Sequence, residues 1–260
     1  MLQALLKHKL KDSFADPSFK PSEDTLTSSV VGLLQFLPDE LFWFFLKKSC
    51  GQTSELPERI GNIKGVYFWD RWNAKGTRNS IYVEPDVWID AENCCVIIEA
   101  KKQDGYGQYM NQWENEIKAF VNESGTKDKQ IIFIALGGNE TMKDYVCKVG
   151  RKDYVIHTAS WFNLLHEVSL YMKSVEPEKL RQEKRILSNV VDAFLKHGYV
   201  DVEWLGTLKS KSLSTSSACA LKDLLEFDNS NCFDGLYRQD GPLSKDTIST
   251  LKTLFRYGKN

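Results

Sequence analysis

The feature that most constrains this chain is a pair of β-forming runs separated by a very short polar turn. The first run is Tyr82-Val83-Glu84-Pro85-Asp86-Val87-Trp88-Ile89 and the second is Cys95-Val96-Ile97-Ile98-Glu99-Ala100-Lys101. Between them stands Asp90-Ala91-Glu92-Asn93, a composition suited to a tight turn. A turn centred between Glu92 and Asn93 sets the register: Asp86 faces Glu99, and Glu84 faces Lys101. Directly opposed residues hold their Cβ atoms about 4.5–5.5 Å apart, so the two carboxylates can grip one divalent cation. Lys101 follows Glu99 by two residues and projects from the same face. The register also permits a plainer reading, a surface hairpin with a Glu84–Lys101 cross-strand pair. That reading leaves Asp86 against Glu99, a like-charge pair that destabilises a hairpin unless a cation lies between them.

The remaining sequence can build a domain around this hairpin. Of 260 residues, 42% are hydrophobic and 12% aromatic, enough for a substantial core. Ser22 is the N-cap of a helix running to about residue 49, with Leu26, Val30, Leu33, Leu34 and Leu37 at helical spacing and an interruption at Pro38-Asp39-Glu40. Strands follow near 63–70, 81–89 and 95–101, and then a helix over 106–122 that turns Tyr106, Met110, Trp113, Ile117 and Phe120 inward. The continuous apolar run Gln130 to Leu136 suits a central strand covered on both faces. Gly137-Gly138 ends it. A helix near 140–149, a short strand at Tyr154-Val155-Ile156 and a helix from Trp161 to Met172 complete this part. Beyond Pro177 the pattern is helical, near 178–197, 215–226 and 244–256. The order predicts an α/β fold with α/β/α layers around a mixed sheet over residues 1–175, and a helix-rich region over 176–260.

Charge and cysteine usage narrow the partners. The net charge is −1, so any nucleic-acid binding must come from a local patch. Arg71, Lys75 and Arg78, with Trp72 and the flexible Gly76, offer phosphate contacts and a stacking aromatic; a solvated loop fits the same composition. No apolar run is long enough to span a bilayer, and the opening Met1-Leu2-Gln3-Ala4-Leu5-Leu6-Lys7-His8-Lys9 reaches charge too early for a signal peptide. Six scattered cysteines form no CxxC pair, which excludes a zinc ribbon and suits reduced thiols in a cytoplasmic protein. Adjacent Cys94 and Cys95 point to opposite faces of a strand as packing residues. His157 and His166 lack metal-ligand spacing. Gly137-Gly138-Asn139-Glu140 lacks the lysine of a phosphate loop and reads as a turn.

Pro85-Asp86 on one strand and Glu99-Ala100-Lys101 on the next resemble the signature of the PD-(D/E)XK nuclease superfamily, with its restriction-endonuclease-like fold. The helix before the hairpin and the helix and strand after it match that family's layout, and the resemblance covers roughly residues 20–170. It implies a Mg²⁺-dependent nuclease, with Mn²⁺ as a substitute, hydrolysing phosphodiester bonds of DNA and cutting internally rather than from ends. Asp86, Glu99 and the Ala100 carbonyl are the implied metal ligands, and Lys101 orients or deprotonates the attacking water. Glu23, on the buried face of the first helix, corresponds to an acid that completes the metal site in many members; an acid in a first turn also complements the helix dipole. Gln108 and Gln112, four residues apart on the following helix, correspond to glutamines near the metal or phosphate, or are solvated. Tyr106 and Tyr109 read as packing residues. Cutting both strands of a duplex takes two sites, so a homodimer is a natural expectation. The alternative is a catalytically inactive nuclease-like domain that binds nucleic acid or a protein partner; a structural subunit of a larger complex is a third reading.

Overall fold

A six-stranded mixed sheet runs through the centre of the chain in the order β1-β4-β5-β6-β8-β7. This structure, a computed structural model, describes residues 21–51, 54–79, 81–124, 129–174 and 181–201. The strands are β1 (Ile63–Phe68), β2 (Trp72–Asn73), β3 (Tyr82–Val83), β4 (Val87–Ala91), β5 (Cys94–Ala100), β6 (Gln130–Leu136), β7 (Tyr145–Val149) and β8 (Lys152–Ala159). The helices are α1 (Glu23–Leu34), α2 (Asp39–Ser49), α3 (Met110–Ser124), α4 (Trp161–Ser174) and α5 (Arg181–Lys196). β1, β4 and β5 form an antiparallel meander. β6 lies parallel to β5 after the α3 crossover, and β8 lies parallel to β6. β7 closes the far edge, antiparallel to β8.

Both sheet faces are covered, which explains why β5 is buried at every residue. Val87, Ile89, Val96, Ile98, Ile134 and Leu136 pack with apolar residues of α1, α2, α4 and α5. Alternate residues, Ile97, Phe133 and Ile156 among them, pack with Trp113, Ile117 and Phe120 of α3. Cys94 and Cys95 fall into these two opposite clusters, and the four described cysteines are free. Among the described residues no helix is long and apolar enough to cross a membrane.

The hairpin has the register its turn dictates. Val87 pairs with Ile98, Trp88 with Ile97, Ile89 with Val96 and Asp90 with Cys95. The run from Tyr82 to Ile89 is nevertheless not one strand. Glu84-Pro85-Asp86 leaves the ladder, and β3 joins β2 in a separate two-stranded sheet. Pro85 has no N–H to donate, and the residue before a proline is restricted, so the ladder breaks there. The Glu84–Lys101 pair does not form: Glu84 instead bonds Arg71 at 3.2 Å.

Two further expectations differ. The stretch near 140–149 is a turn followed by β7, not a helix; β8 needs an antiparallel edge partner, and Gly137 and Gly138, both at positive φ, separate that partner from β6. Tyr106 lies before α3 and is exposed, as is Met110 in its first turn, so the buried stripe begins at Trp113. The helix expected in the C-terminal region as 178–197 is α5, which packs on α1 and α4. Leu187, Val190 and Phe194 of α5 join the core cluster on that face of the sheet. The helices expected at 215–226 and 244–256 lie outside the described residues.

Candidate metal centre

The acids of the hairpin meet where β4 and β5 end. Asp86 sits just outside β4, and its carboxylate accepts from the Ala100 N–H at 2.8 Å and from the Trp69 indole N–H at 3.0 Å. The side chain thus takes the place of the ladder partner that the break at Pro85 removes. Glu99, near the end of β5, is 2% exposed, and Asp86 is 7% exposed. Glu23 enters from the first turn of α1. A capping box between Ser22 and Thr25 fixes that turn, and Glu23 Oε2 accepts from the Lys102 N–H at 3.2 Å. One carboxylate oxygen from each of Glu23, Asp86 and Glu99 lies within 4.8 Å of the others.

Lys101 supplies the positive charge among these acids. Its Nζ contacts Glu99 Oε1, donates to the Ala100 carbonyl at 3.0 Å and lies 3.5 Å from Glu23 Oε1. Its position is set from behind. The main chain donates to the Leu136 carbonyl at 2.8 Å, and the Lys101 carbonyl accepts from the Trp161 indole at 2.7 Å. Gly137 and Gly138 allow this approach. Both have positive φ, and a Cβ would fall 2.4 Å from the Lys101 carbonyl oxygen at Gly137 and 2.7 Å from Lys101 Cβ at Gly138.

Gln108 and Gln112 both reach Glu99. Gln112 Nε2 donates to Glu99 Oε1 at 2.6 Å, and Gln108 Nε2 donates to the Glu99 main-chain carbonyl at 2.9 Å. Gln108 is itself held by the Trp113 indole at 2.7 Å. Behind them stands Glu116, an acid that the sequence reading passed over. It is 1% exposed, its carboxyl lies against that of Glu99, and its Oε2 is buried without a hydrogen-bond partner. The signal was present: Glu116 follows Gln112 by four residues and lies three after Trp113 and four before Phe120, on the stripe that α3 buries.

The protonation balance follows from burial. Desolvation raises Asp86 well above the ordinary carboxylate range; Glu99 and Glu23 add to the rise, while Lys101 and the Ala100 N–H oppose it. Glu99 is likewise raised, by burial and then by the charge of Glu116. Burial pushes Glu116 up to about 8. Burial works against the charged form of Lys101, but Glu99, Asp86 and Glu23 together outweigh it and hold the ammonium more firmly than usual. A group of acids with raised pKa values around one lysine gains from a cation, which removes their mutual repulsion. The donor set is all oxygen, with no cysteine or histidine, and suits a hard divalent ion rather than zinc. The unpartnered Glu116 oxygen fits the same need.

The basic segment is placed differently. Trp72 is buried against Trp88 and Phe120 and offers no exposed ring for stacking. Arg71 stacks over Tyr82 at 4.5 Å and bonds Glu84, Arg78 Nη2 lies 3.9 Å from Glu114, and Lys75 is exposed on the turn between them. Tyr109, expected as a packing residue, is 65% exposed beside Gln112. His157 is buried and paired with Asp144, and His166 is exposed and paired with Asp201. Neither approaches a metal-ligand set among the described residues. Comparison with protein-family models, with curated proteins and with solved structures returns no match.

Proposed function

We propose that this protein is a metal-dependent nuclease of the restriction-endonuclease-like fold. The observation that carries the reading is the convergence of Asp86, Glu99 and Lys101 at the ends of two paired strands, with Glu23 completing an oxygen cage. The topology supports it: a helix, an antiparallel β1-β4-β5 meander, a helical crossover and a parallel β6, with the motif residues at the strand ends. Asp86, Glu99, the Ala100 carbonyl and Glu23 would hold Mg²⁺ or Mn²⁺. The bound cation would act as a Lewis acid on the phosphate and lower the pKa of a coordinated water.

The chain's own groups do the rest. Lys101 orients the attacking water and neutralises charge that develops on the phosphate oxygens. The water oxygen bonds to phosphorus, the phosphorus–oxygen bond to the departing sugar oxygen breaks, and that oxygen takes up a proton. Gln108 and Gln112 hold Glu99 in place from its main chain and its carboxylate. Arg71, Lys75 and Arg78 contact flanking phosphates. DNA is the proposed substrate, and a homodimer the proposed assembly.

The test is incubation of the purified protein with single- and double-stranded DNA and RNA in EDTA, Mg²⁺ or Mn²⁺. Cleavage requires metal and is lost in Asp86→Ala and Lys101→Ala. Equal cutting by wild type and both variants overturns the site.

A second reading rests on the Lys101–Glu99 contact, which gives the acids one positive charge without an ion. Under it the chain is a nuclease-like domain that binds nucleic acid or a protein without cutting. Calorimetry separates the two: a nuclease binds Mn²⁺ and loses that binding in Glu99→Ala, whereas a metal-free binding domain shows no uptake.

A further inference from the structure

On the α3 side of the acids lies a cleft of about 420 Å³. Its walls include Asn79, Tyr109, Asn111, Gln112 and Asn115, with Glu84 and Glu116 as their acids. Two of these belong to the metal centre's surroundings, since Gln112 bonds Glu99 and Glu116 stands behind it. Whatever occupies the cleft is therefore a neighbour of the reacting phosphate.

The lining has a specific chemistry. Four primary amides line it, a group type with both donors and an acceptor; Gln112, Asn115 and Asn79 spend part of that capacity on Glu99, Asn79 and Tyr82. Two of them are fixed in place: Asn115 Oδ1 accepts from the Arg78 N–H at 3.1 Å, and Asn79 Nδ2 donates to the Tyr82 carbonyl at 3.1 Å. The Tyr109 ring, 65% exposed, stands at the mouth. Arg78 adjoins this wall through its main chain, and its guanidinium lies 3.9 Å from Glu114. Amide groups beside an exposed aromatic ring match the edge and face of one nucleobase.

We infer that this cleft binds an unstacked nucleobase of a single-stranded nucleic acid, with Tyr109 as its stacking platform. The inference rests on the nuclease reading for the position of the phosphate beside the base. A base inside a duplex has its edge paired and its faces stacked, so it has nothing left to offer these groups. The site therefore favours single strands, frayed ends or extruded bases over intact duplex.

Binding of fluorescein-labelled oligonucleotides, followed by anisotropy in EDTA so that nothing is cut, tests this. The probes are one sequence as single-stranded DNA, as single-stranded RNA and as DNA duplex. Single strands bind more tightly than duplex, and Tyr109→Ala weakens them roughly tenfold while Tyr109→Phe does not. Asn111→Ala weakens single strands as well and leaves duplex binding unchanged. The DNA and RNA arms show which sugar the site accepts. Because Tyr109 and Asn111 are exposed, both variants keep the circular dichroism spectrum of wild type. Equal single-strand affinity in Tyr109→Ala, or a preference for duplex, overturns the subsite even if Mn²⁺-dependent cutting is seen. Failure of wild type to bind either single strand also overturns it. Tyr109-dependent binding without cutting in Mg²⁺ or Mn²⁺ sinks the nuclease reading and leaves the base site standing.

Discussion

Glu99 and Glu116 bring their carboxyls against each other in the interior, one reaching from β5 and the other from α3. Burial raises the pKa of both, and Glu116 stands at about 8. Two acids in this position hold a proton between them at neutral pH or need a cation nearby. Above about pH 8, where Glu116 is ionised, removing its charge by Glu116→Gln should raise the melting temperature of the metal-free protein. Differential scanning calorimetry in EDTA measures this, and a lower melting temperature in the variant would contradict it.

The same pair predicts an inverted pH dependence. The Glu116 carboxyl has an ordinary pKa of 4.5, which applies in the unfolded chain, and a folded value of about 8. A raised acid means that the folded state binds more protons across that window. Its contribution to metal-free stability is present below about pH 4.5 and is lost as the pH rises toward 8. Denaturant unfolding in EDTA at pH 6, 7 and 8, whose series is an order-of-magnitude sampling of roughly that window, should show falling stability. Glu116→Gln should flatten the slope.

A divalent cation should stabilise the fold. At a hundredfold excess over its dissociation constant, a ligand specific for the folded state adds about 2.7 kcal/mol. For a domain of this size that corresponds to roughly 5–10 °C in melting temperature. Wild type should show such a shift with Mn²⁺, and Asp86→Ala and Glu99→Ala should not. Binding should also tighten as the pH rises, since the acids must give up protons to bind the metal.

Lys101→Met separates charge from packing. It leaves Asp86, Glu99 and Glu23 without their ammonium, so the metal-free protein should lose stability, as expected when a buried charge pair is broken on one side. Mn²⁺ should restore much of that loss. Nuclease activity should fall by roughly 100-fold or more even at saturating metal. A variant that cuts at the wild-type rate would remove Lys101 from the chemistry.

Gly138→Ala and Gly137→Ala test how Lys101 is placed. Both positions have left-handed backbone, which costs a non-glycine residue about 1–3 kcal/mol. At Gly137 the obstacle is the Lys101 main chain, which cannot move aside. Gly137→Ala should therefore destabilise more than Gly138→Ala, where a side chain meets the new methyl group. Urea unfolding of the two variants gives the order.

The parts that were legible in sequence are those set by local pattern. A two-residue turn at Glu92-Asn93 determined which β4 residue meets which β5 residue, and the apolar run at Gln130 marked the strand covered on both faces. The break at Pro85 was written in the chain as well, but the alternating residues around it suggested one continuous strand. What remained hidden depends on contacts distant in sequence. Glu116 looks like an ordinary helix acid until β5 brings Glu99 against it. Tyr106 and Met110 fit a helical stripe whose first turn has no sheet beneath it. The segment 140–149 pairs as β7 because an edge of β8 is open to it, and no local propensity records that.

Trp69 carries a consequence of a different kind. It has a φ of 50°, it is buried, and its indole N–H bonds the Asp86 carboxylate. Among the described residues it is the non-glycine position with left-handed backbone, so the chain accepts local strain to bring that ring against the acid. An indole in contact with a carboxylate senses its charge. Loading the centre should therefore change the tryptophan emission, and Trp69→Phe should remove the part of that change due to this ring. The protein thus holds an optical reporter of the proposed metal centre, one that needs no substrate and no label.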